Sequence, residues 1–261
     1  LFASFGKQPM TVHLAAGTYS TYGVKMYSGW QISGAGIEGT RVNYTKDSSN
    51  TVFSSFYTAN DSAVNQLVSN MTINCGGVNG ERRYLSAIQL RGMQWNTITR
   101  VKVLNCSSPS REGFILWIIC CGAYNSNHNA ITNCIVDSCW GGGTSAITIA
   151  HAVAPGYPNA HWNCYDYNST MTGNYIRYAH IGGPGGYQCR SLTIANNTMV
   201  DCVYGCNFDS GDNYGTIVDG NTITNSTSWG LVLGGGLIYD SFIIKNNTFT
   251  NITVAFGVRN F

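Results

Sequence analysis

Apolar and polar positions alternate with a period of two over short stretches, and the stretches recur. Asn197-Thr-Met-Val-Asp201, Asn221-Thr-Ile-Thr-Asn225 and Asn247-Thr-Phe-Thr-Asn251 share one layout. A polar residue opens each, an apolar one follows two places on, and Asp or Asn closes it. A short apolar run comes next: Cys206-Asn-Phe208, Leu231-Val-Leu233 and Phe256-Gly-Val258. The steps from Met199 to Ile223 and on to Phe249 are roughly 24 to roughly 26 residues, within the range of solenoid repeats. Two period-2 segments per unit predict strand, turn and strand, not helix.

The same layout predicts earlier rungs with longer spacing. Met71-Thr-Ile-Asn-Cys75, Val101-Lys-Val-Leu-Asn105 and Asn133-Cys-Ile-Val-Asp137 are each followed by a second strand, within Ala87–Leu90, Phe114–Trp117 and Ala146–Ile149. Val103, Ile135, Ile176, Met199, Ile223 and Phe249 are expected to stack inside. Asn105, Asp137, Asp201, Asn225 and Asn251 are expected to form a column at a turn, since Asn and Asp tolerate left-handed backbone. Residues 44–63 predict a loop, and a further loop insertion is expected around residues 151–170. The whole of 1–261 is expected to be a single all-β domain of about ten coils, stable through contacts between neighbouring coils.

The opening of the chain carries a resemblance. Val12 to Leu14, Gly17-Thr-Tyr19, Ile32-Ser-Gly34-Ala-Gly36 and Thr40 resemble the first coils of pectate-lyase-like right-handed parallel β-helix proteins. That resemblance implies the fold and the handedness, and almost nothing about the reaction. Enzymes of this superfamily tend to place carboxylates, Arg or Lys on one exposed sheet face. Their signatures (Asn-Thr-Asp, Asp-Asp, Gly-His-Gly and Arg-Ile-Lys of polygalacturonases, Asp-Pro-His of alginate epimerases, Arg-x-Pro-x-x-Arg of pectate lyases) do not occur in the sequence.

Composition narrows the function. Net charge is +2 and only 10% of residues are charged, which argues against nucleic acid, a partner that calls for a dense basic face. No apolar run approaches the ~20 residues that span a bilayer. Ten cysteines, an even number, point to disulfides among Cys75, Cys106, Cys120, Cys121, Cys134, Cys139, Cys164, Cys189, Cys202 and Cys206. Sequons at Asn43, Asn60, Asn70, Asn105, Asn168, Asn196, Asn225, Asn246 and Asn251 point to N-glycans and a secreted, extracellular location. Neither end carries an amphipathic helix as a lid. Flanking sequence or end-to-end stacking of copies is expected to cover the strand edges.

Candidate chemistry is sparse. If Ile147, Phe208 and Val232 share a column, His151 and Asp212 lie at the same strand end, with Arg190 nearby. Asp209 and Asp212 with His151 and Arg190 then form the strongest acid-base candidate; a turn held by Asx bonds is the favoured explanation of the two carboxylates. Tyr157, Trp162, Tyr165 and Tyr167 offer aromatic faces to sugar rings. His128, His151, His161 and His180 lack metal-ligand spacing, and no metal or cofactor is expected. The leading expectation is a non-catalytic structural or assembly glycoprotein whose partners are copies of itself. A polysaccharide lyase, a glycoside hydrolase or a carbohydrate-binding module, with polysaccharide as partner, is the alternative.

Overall fold

Each coil of the chain turns on residues whose backbone is left-handed, and these residues stack in columns. Trp95, His128, Asn168, Ser191 and Gly215 form one column; Asn133, Gly173, Asn196, Gly220 and Asn246 form a second; Asn105, Ser138, Tyr178, Asp201, Asn225 and Asn251 form a third. Their φ angles lie between +51° and +68°. Gly, Asn and Asp reach this region at low cost, because they lack a clashing Cβ or bond locally with a short polar side chain. The corner therefore selects the residue types that recur in the sequence.

The computed structural model describes residues 7–44, 56–58, 63–76, 86–106, 108–120, 125–139, 141–151, 165–179, 185–208, 213–234 and 239–258. Among them there is no helix, and every strand pairing is parallel. The chain winds as a right-handed parallel β-helix with four faces. The first face begins with Met10–His13 and Trp30–Ser33. It continues through the starts of Leu67–Asn74 and Thr97–Leu104, then Ala130–Thr132, Thr170–Thr172, Thr193–Ala195, Ile217–Asp219 and Ile243–Lys245. Among the described residues these are nine stacked strands, against about ten coils expected. Coil length varies without breaking the register: Ser126 and Asp166 stand one coil and 40 residues apart, Asn174 and Asn197 one coil and 23 residues apart. The opening coil is also short, with Val12 paired to Ile32.

The second face runs from Gly17–Thr21 and Thr40–Tyr44 to Thr248–Thr250. The third carries Val24–Met26 and Phe56–Thr58, then the start of Ile88–Gln94, Ser108–Cys120, Gly141–His151 and Gly185–Tyr187. Tyr204–Phe208, Trp229–Leu233 and Val254–Val258 follow it on the later coils. A narrow fourth face is made of two-residue steps such as Ser126–Asn127, Asp166–Tyr167, Cys189–Arg190 and Asn213–Tyr214. In sequence, every internal segment outside the described residues flanks a strand of the third face.

Burial follows the period-2 pattern. Ile32, Val68, Ile98, Ile131, Met171, Ile194 and Val218 are fully buried in one column. The interior also holds a polar spine. Asn174 donates Nδ2 to Asn197 Oδ1, Asn197 to Asn221, and Asn221 to Asn247, each at 2.9 Å. Each side chain also satisfies backbone: Asn197 Nδ2 donates to Met171 O at 2.9 Å, and its Oδ1 accepts from the Asn174 amide at 2.9 Å. A buried amide can be retained only when both its ends are paired, and here the pairing repeats from coil to coil.

Several expectations shift by one residue. Val136, not Ile135, joins Val103 and Ile176 inside, and Ser138, not Asp137, is the corner residue. Strands of only three residues leave register to be set by the corner, and the alternation in Cys-Ile-Val-Asp fits either frame. Phe56–Thr58, placed in a loop by its polar surroundings, is a strand of the third face. Asp166–Tyr167 and Thr170–Thr172 already belong to the stack, so the insertion is shorter than 151–170. In the outermost described coil, Ile244, Phe256 and Val258 occupy inward positions yet are 38%, 47% and 62% exposed.

Candidate functional site

Two faces lie next to the variable segments, and they differ in openness. On the third face the outward row is Tyr57, Gln89, Trp117, Thr148 and Gly185 in register, with Asn207 and Val232 on the following coils. The inward alternates, such as Leu116, Ile118, Ile147 and Ile149, are buried, as expected. The outward Gln89, Trp117, Thr148, Asn207 and Val232 are buried as well. This sheet is covered on both sides, as parallel sheets usually are. Thr148 Oγ1 and Asn207 Oδ1 have no hydrogen-bond partner among the described residues. Gly185 is required where it stands, because a Cβ there would sit 2.7 Å from Asn207 O.

The fourth face is half-buried: Gln94, Asn127, Tyr167, Arg190 and Tyr214 are partly exposed and Asp240 is exposed. Its outward row is Gln94, Asn127, Tyr167, Arg190, Tyr214 and Asp240, one residue per coil and all in register. The pleat turns these side chains outward, because the alternate positions Ser126, Asp166, Cys189 and Asn213 face the interior and are buried. At the centre, the Arg190 guanidinium lies 4.1 Å from the Tyr165 ring centroid, 4.8 Å from Tyr214 and 5.8 Å from Tyr167. Tyr165 meets Tyr214 and Tyr167 edge-on, at 5.9 and 6.3 Å. Such geometry suits both ring quadrupoles and a cation.

Partial loss of hydration works to lower the Arg190 pKa. A hydrogen bond to Tyr165 and the neighbouring Tyr167 and Tyr214 outweigh it, and the net shift is upward. Among the described residues Arg190 Nε is buried without a hydrogen-bond partner, and no carboxylate lies within ion-pair distance of the guanidinium. A planar cation with donors to spare, framed by aromatic rings, is suited to a planar anion such as a carboxylate.

Beneath this row lies a buried carboxyl that sequence reasoning missed. Ser126 Oγ donates to Asp166 Oδ1 at 2.6 Å, and Asn129 Nδ2 donates to the same oxygen at 2.9 Å. Asp166 Oδ2 has no partner among the described residues. Burial pushes the Asp166 pKa up. Hydrogen bonds from Ser126, Ser169 and Asn129, and the charge of His128, oppose that rise. Only the adjacency of Asp166 to Tyr165 and Tyr167 hinted at this position.

Of the residues singled out in the sequence, Arg190, Tyr165 and Tyr167 come together. Asp209, Asp212, Tyr157 and Trp162 lie outside the described residues, as does the His151 side chain. The premise that Phe208 and Val232 share a column fails: Phe208 pairs with Leu233, and Val232 pairs with Asn207. Cys75, Cys106, Cys134, Cys139, Cys202 and Cys206, expected in disulfides, stand as free thiols; they fill inward positions of the stack. Cys189 is buried too, and Cys121, Cys164 and the Cys120 side chain lie outside the described residues. Burial raises the Cys134 and Cys206 thiols to about 12 and Cys202 to about 11, and lifts Cys106, which touches Cys75 and Cys139, well above its usual value.

The sequons have a structural origin. Asn70, Asn105, Asn168, Asn196, Asn225, Asn246 and Asn251 all sit at left-handed corners. The corner asks for Asn, then an inward residue, then a residue with an outward side chain that is often Thr. The sequon pattern therefore follows from the coil itself. Asn43 is on a strand instead, and Asn60 lies outside the described residues.

No known family profile and no curated protein sequence matches the chain. Solved structures do resemble it. The polygalacturonase of Erwinia carotovora ssp. carotovora aligns over 97% of this chain and 91% of its own, at 12% identity and a TM-score of 0.50. The A-module of Azotobacter vinelandii mannuronan C-5 epimerase AlgE4 aligns over 95% and 89%, at 14% identity and a TM-score of 0.36. The ORF18 protein of Geobacillus virus E2 aligns over 95% of this chain and 54% of its own, at 16% identity and 0.39. In architecture, the chain is a right-handed parallel β-helix, the fold it shares with the Erwinia polygalacturonase.

Proposed function

We propose that the chain binds a polysaccharide along its partly exposed fourth face, with the Arg190, Tyr165, Tyr167 and Tyr214 cluster at the centre. The observation that carries this reading is a half-buried guanidinium set among three tyrosine rings, with Tyr167 and Tyr214 partly exposed over the buried Tyr165, and paired with no described carboxylate. Tyrosine rings offer flat apolar surface to the C–H face of a pyranose. Arg190 adds donors for a carboxylate, so the favoured ligand is an acidic glycan. The fold shared with a polygalacturonase is consistent with a sugar-polymer ligand. Cleavage, where it occurs, would rest on Asp209 and Asp212, which lie in sequence between Phe208 and Asn213. An extracellular location fits such a ligand.

The test is affinity gel electrophoresis in polygalacturonate, alginate and neutral xyloglucan. Retardation in the acidic gels, reduced at least about tenfold in affinity by Arg190→Ala, supports the proposal; fully desolvated charge pairs at interfaces are worth this much or more. Equal mobility in all gels and in buffer alone would overturn it.

A structural reading has one observation in its favour, the exposed inward row Ile244, Phe256 and Val258. A second copy, or further coils of the same chain, would cover it. Electron micrographs of concentrated protein decide this, and strictly monomeric particles remove the assembly reading.

A further inference from the structure

Trp95 sits where an indole is expensive. It occupies the first corner column, with φ of +60°, and its neighbours along that column are Asn65, His128, Asn168, Ser191 and Gly215. Asn, Ser and Gly suit left-handed backbone, whereas a bulky aromatic there is uncommon; Tyr178, in the third column, is the other one among the described residues. Trp95 is also 52% exposed, while Trp30 and Trp117 are buried. Neither backbone comfort nor core filling accounts for it. Strained backbone of this kind persists where function retains it.

The ring has a definite arrangement. It stacks on the imidazole of His128, one coil further on, with centroids 4.3 Å apart and planes 12° from parallel. His128 is held in turn: its Nδ1 lies 3.0 Å from Asn127 Oδ1. That oxygen only accepts, so the hydrogen bond calls for a proton on Nδ1 and fixes the ring. The result is a flat, fixed, half-exposed ring pair beside Gln94 and Asn127, the first two members of the outward row that leads to Tyr167, Arg190 and Tyr214. Four coil steps separate Trp95 from the corner beside Tyr214, roughly 19 Å at the spacing of paired strands.

We infer that the Trp95–His128 platform is a distal sugar-stacking subsite, and that the glycan strand lies parallel to the stack axis, reaching from Trp95 to Tyr214. This rests on the polysaccharide-binding reading above and extends it. A pyranose covers the outer face of the indole, and its neighbours along the strand meet Asn127, Tyr167 and then Arg190. The platform contributes only to ligands long enough to reach it, so it sets a length preference. Short acidic oligosaccharides occupy the Arg190 cluster alone.

Titration calorimetry with a series of galacturonate oligomers, from the dimer to chains long enough to span the face, tests this. Wild type is expected to gain affinity with length, and Trp95→Asn to lose about tenfold for the longest oligomers while leaving the dimer unchanged. Arg190→Ala is expected to weaken every length. Asn suits the left-handed corner, so Trp95→Asn should keep or raise the melting temperature, a combination that a merely structural tryptophan would not give. Unchanged affinity of Trp95→Asn at all lengths overturns the subsite, as does a lowered melting temperature with uniform loss of binding. No binding by wild type at any length overturns the underlying polysaccharide reading instead.

Discussion

Ser126 and Asp166 meet inside the stack, hydroxyl to carboxylate at 2.6 Å, one coil apart. The carboxyl is enclosed, and its other oxygen has no partner among the described residues. Burial raises its pKa in the folded chain. Below the ordinary aspartate value both folded and unfolded chains carry the proton, and the contribution to stability is complete. As pH rises, the unfolded chain releases its proton first, and stability falls until the folded pKa is passed. Each unit of difference is worth about 1.4 kcal/mol. Asp166→Asn is expected to be more stable than wild type at pH 7 and to lose that advantage toward pH 3. Urea melts at the two pH values check it; equal differences at both would show that folding does not shift the Asp166 pKa.

The polar spine predicts a position-dependent cost. Asn197→Ala removes the acceptor used by the Asn174 amide and side chain and the donor used by Asn221. Unpaired buried groups cost about 1–3 kcal/mol each. Asn247→Ala, in the outermost described coil where the spine is less buried, is expected to cost less. Chemical denaturation of the two variants measures the difference.

The thiols predict alkaline sensitivity. Cys134, Cys202 and Cys206 have folded pKa values of about 12, 11 and 12, above the 9.0 of a free thiol. Their burial supports the fold below pH 9, and that support is lost as pH rises through the folded values. Native protein at pH 8 is expected to leave Cys106 and Cys134 unalkylated by iodoacetamide, with full reaction in urea. Rapid native labelling would show that the stack opens, and an unreactive pair in urea would show a disulfide.

Two glycines predict opposite outcomes. A Cβ on Gly205 would lie 2.1 Å from Gly230 O and 2.8 Å from Ile223 Cδ1, so Gly205→Ala is expected to cost about 1–3 kcal/mol or more. Gly215 has φ of +58° with Ser191 no closer than 3.5 Å, in a column that already accepts Asn168. Gly215→Asn is expected to stay within about 0.5 kcal/mol of wild type. Thermal melts compare them.

The extracellular proposal predicts glycans. Peptide mapping after glycosidase treatment of protein made in a secreting host is expected to find modification at exposed corners away from the fourth face, such as Asn196 and Asn246. Unmodified Asn at all nine sequons would remove the support that the sequence lends to a secretory route.

Much of the fold is legible in the sequence, for a physical reason. Met199, Ile223 and Phe249 fall in one column because the later coils are nearly equal in length. The longer front coils hide the register of Val136 and Ser138, because segments of uneven length separate their strands. The site is less legible. Tyr165 and Tyr167 are visible as an aromatic pair, but Tyr214 joins them only through the stacking of coils that are distant in sequence. Trp95 and His128 are two unrelated residues until the first corner column aligns them. Asp166 reads as part of a polar loop, because nothing local says which way a two-residue strand faces.

The constant step between coils makes the molecule a ruler. Asn197 and Asn221 hold equivalent places 24 residues apart, joined by the same bond. Excising residues 198–221 would therefore rejoin Asn197 to Thr222 with the spine continuous from Asn197 to Asn247. It would remove Tyr214 and bring Arg190 beside the next coil, shortening the reach of the face by one graduation of about 4.8 Å. Length along this protein is quantised by its backbone, and the reach of the proposed glycan site would change only in those units.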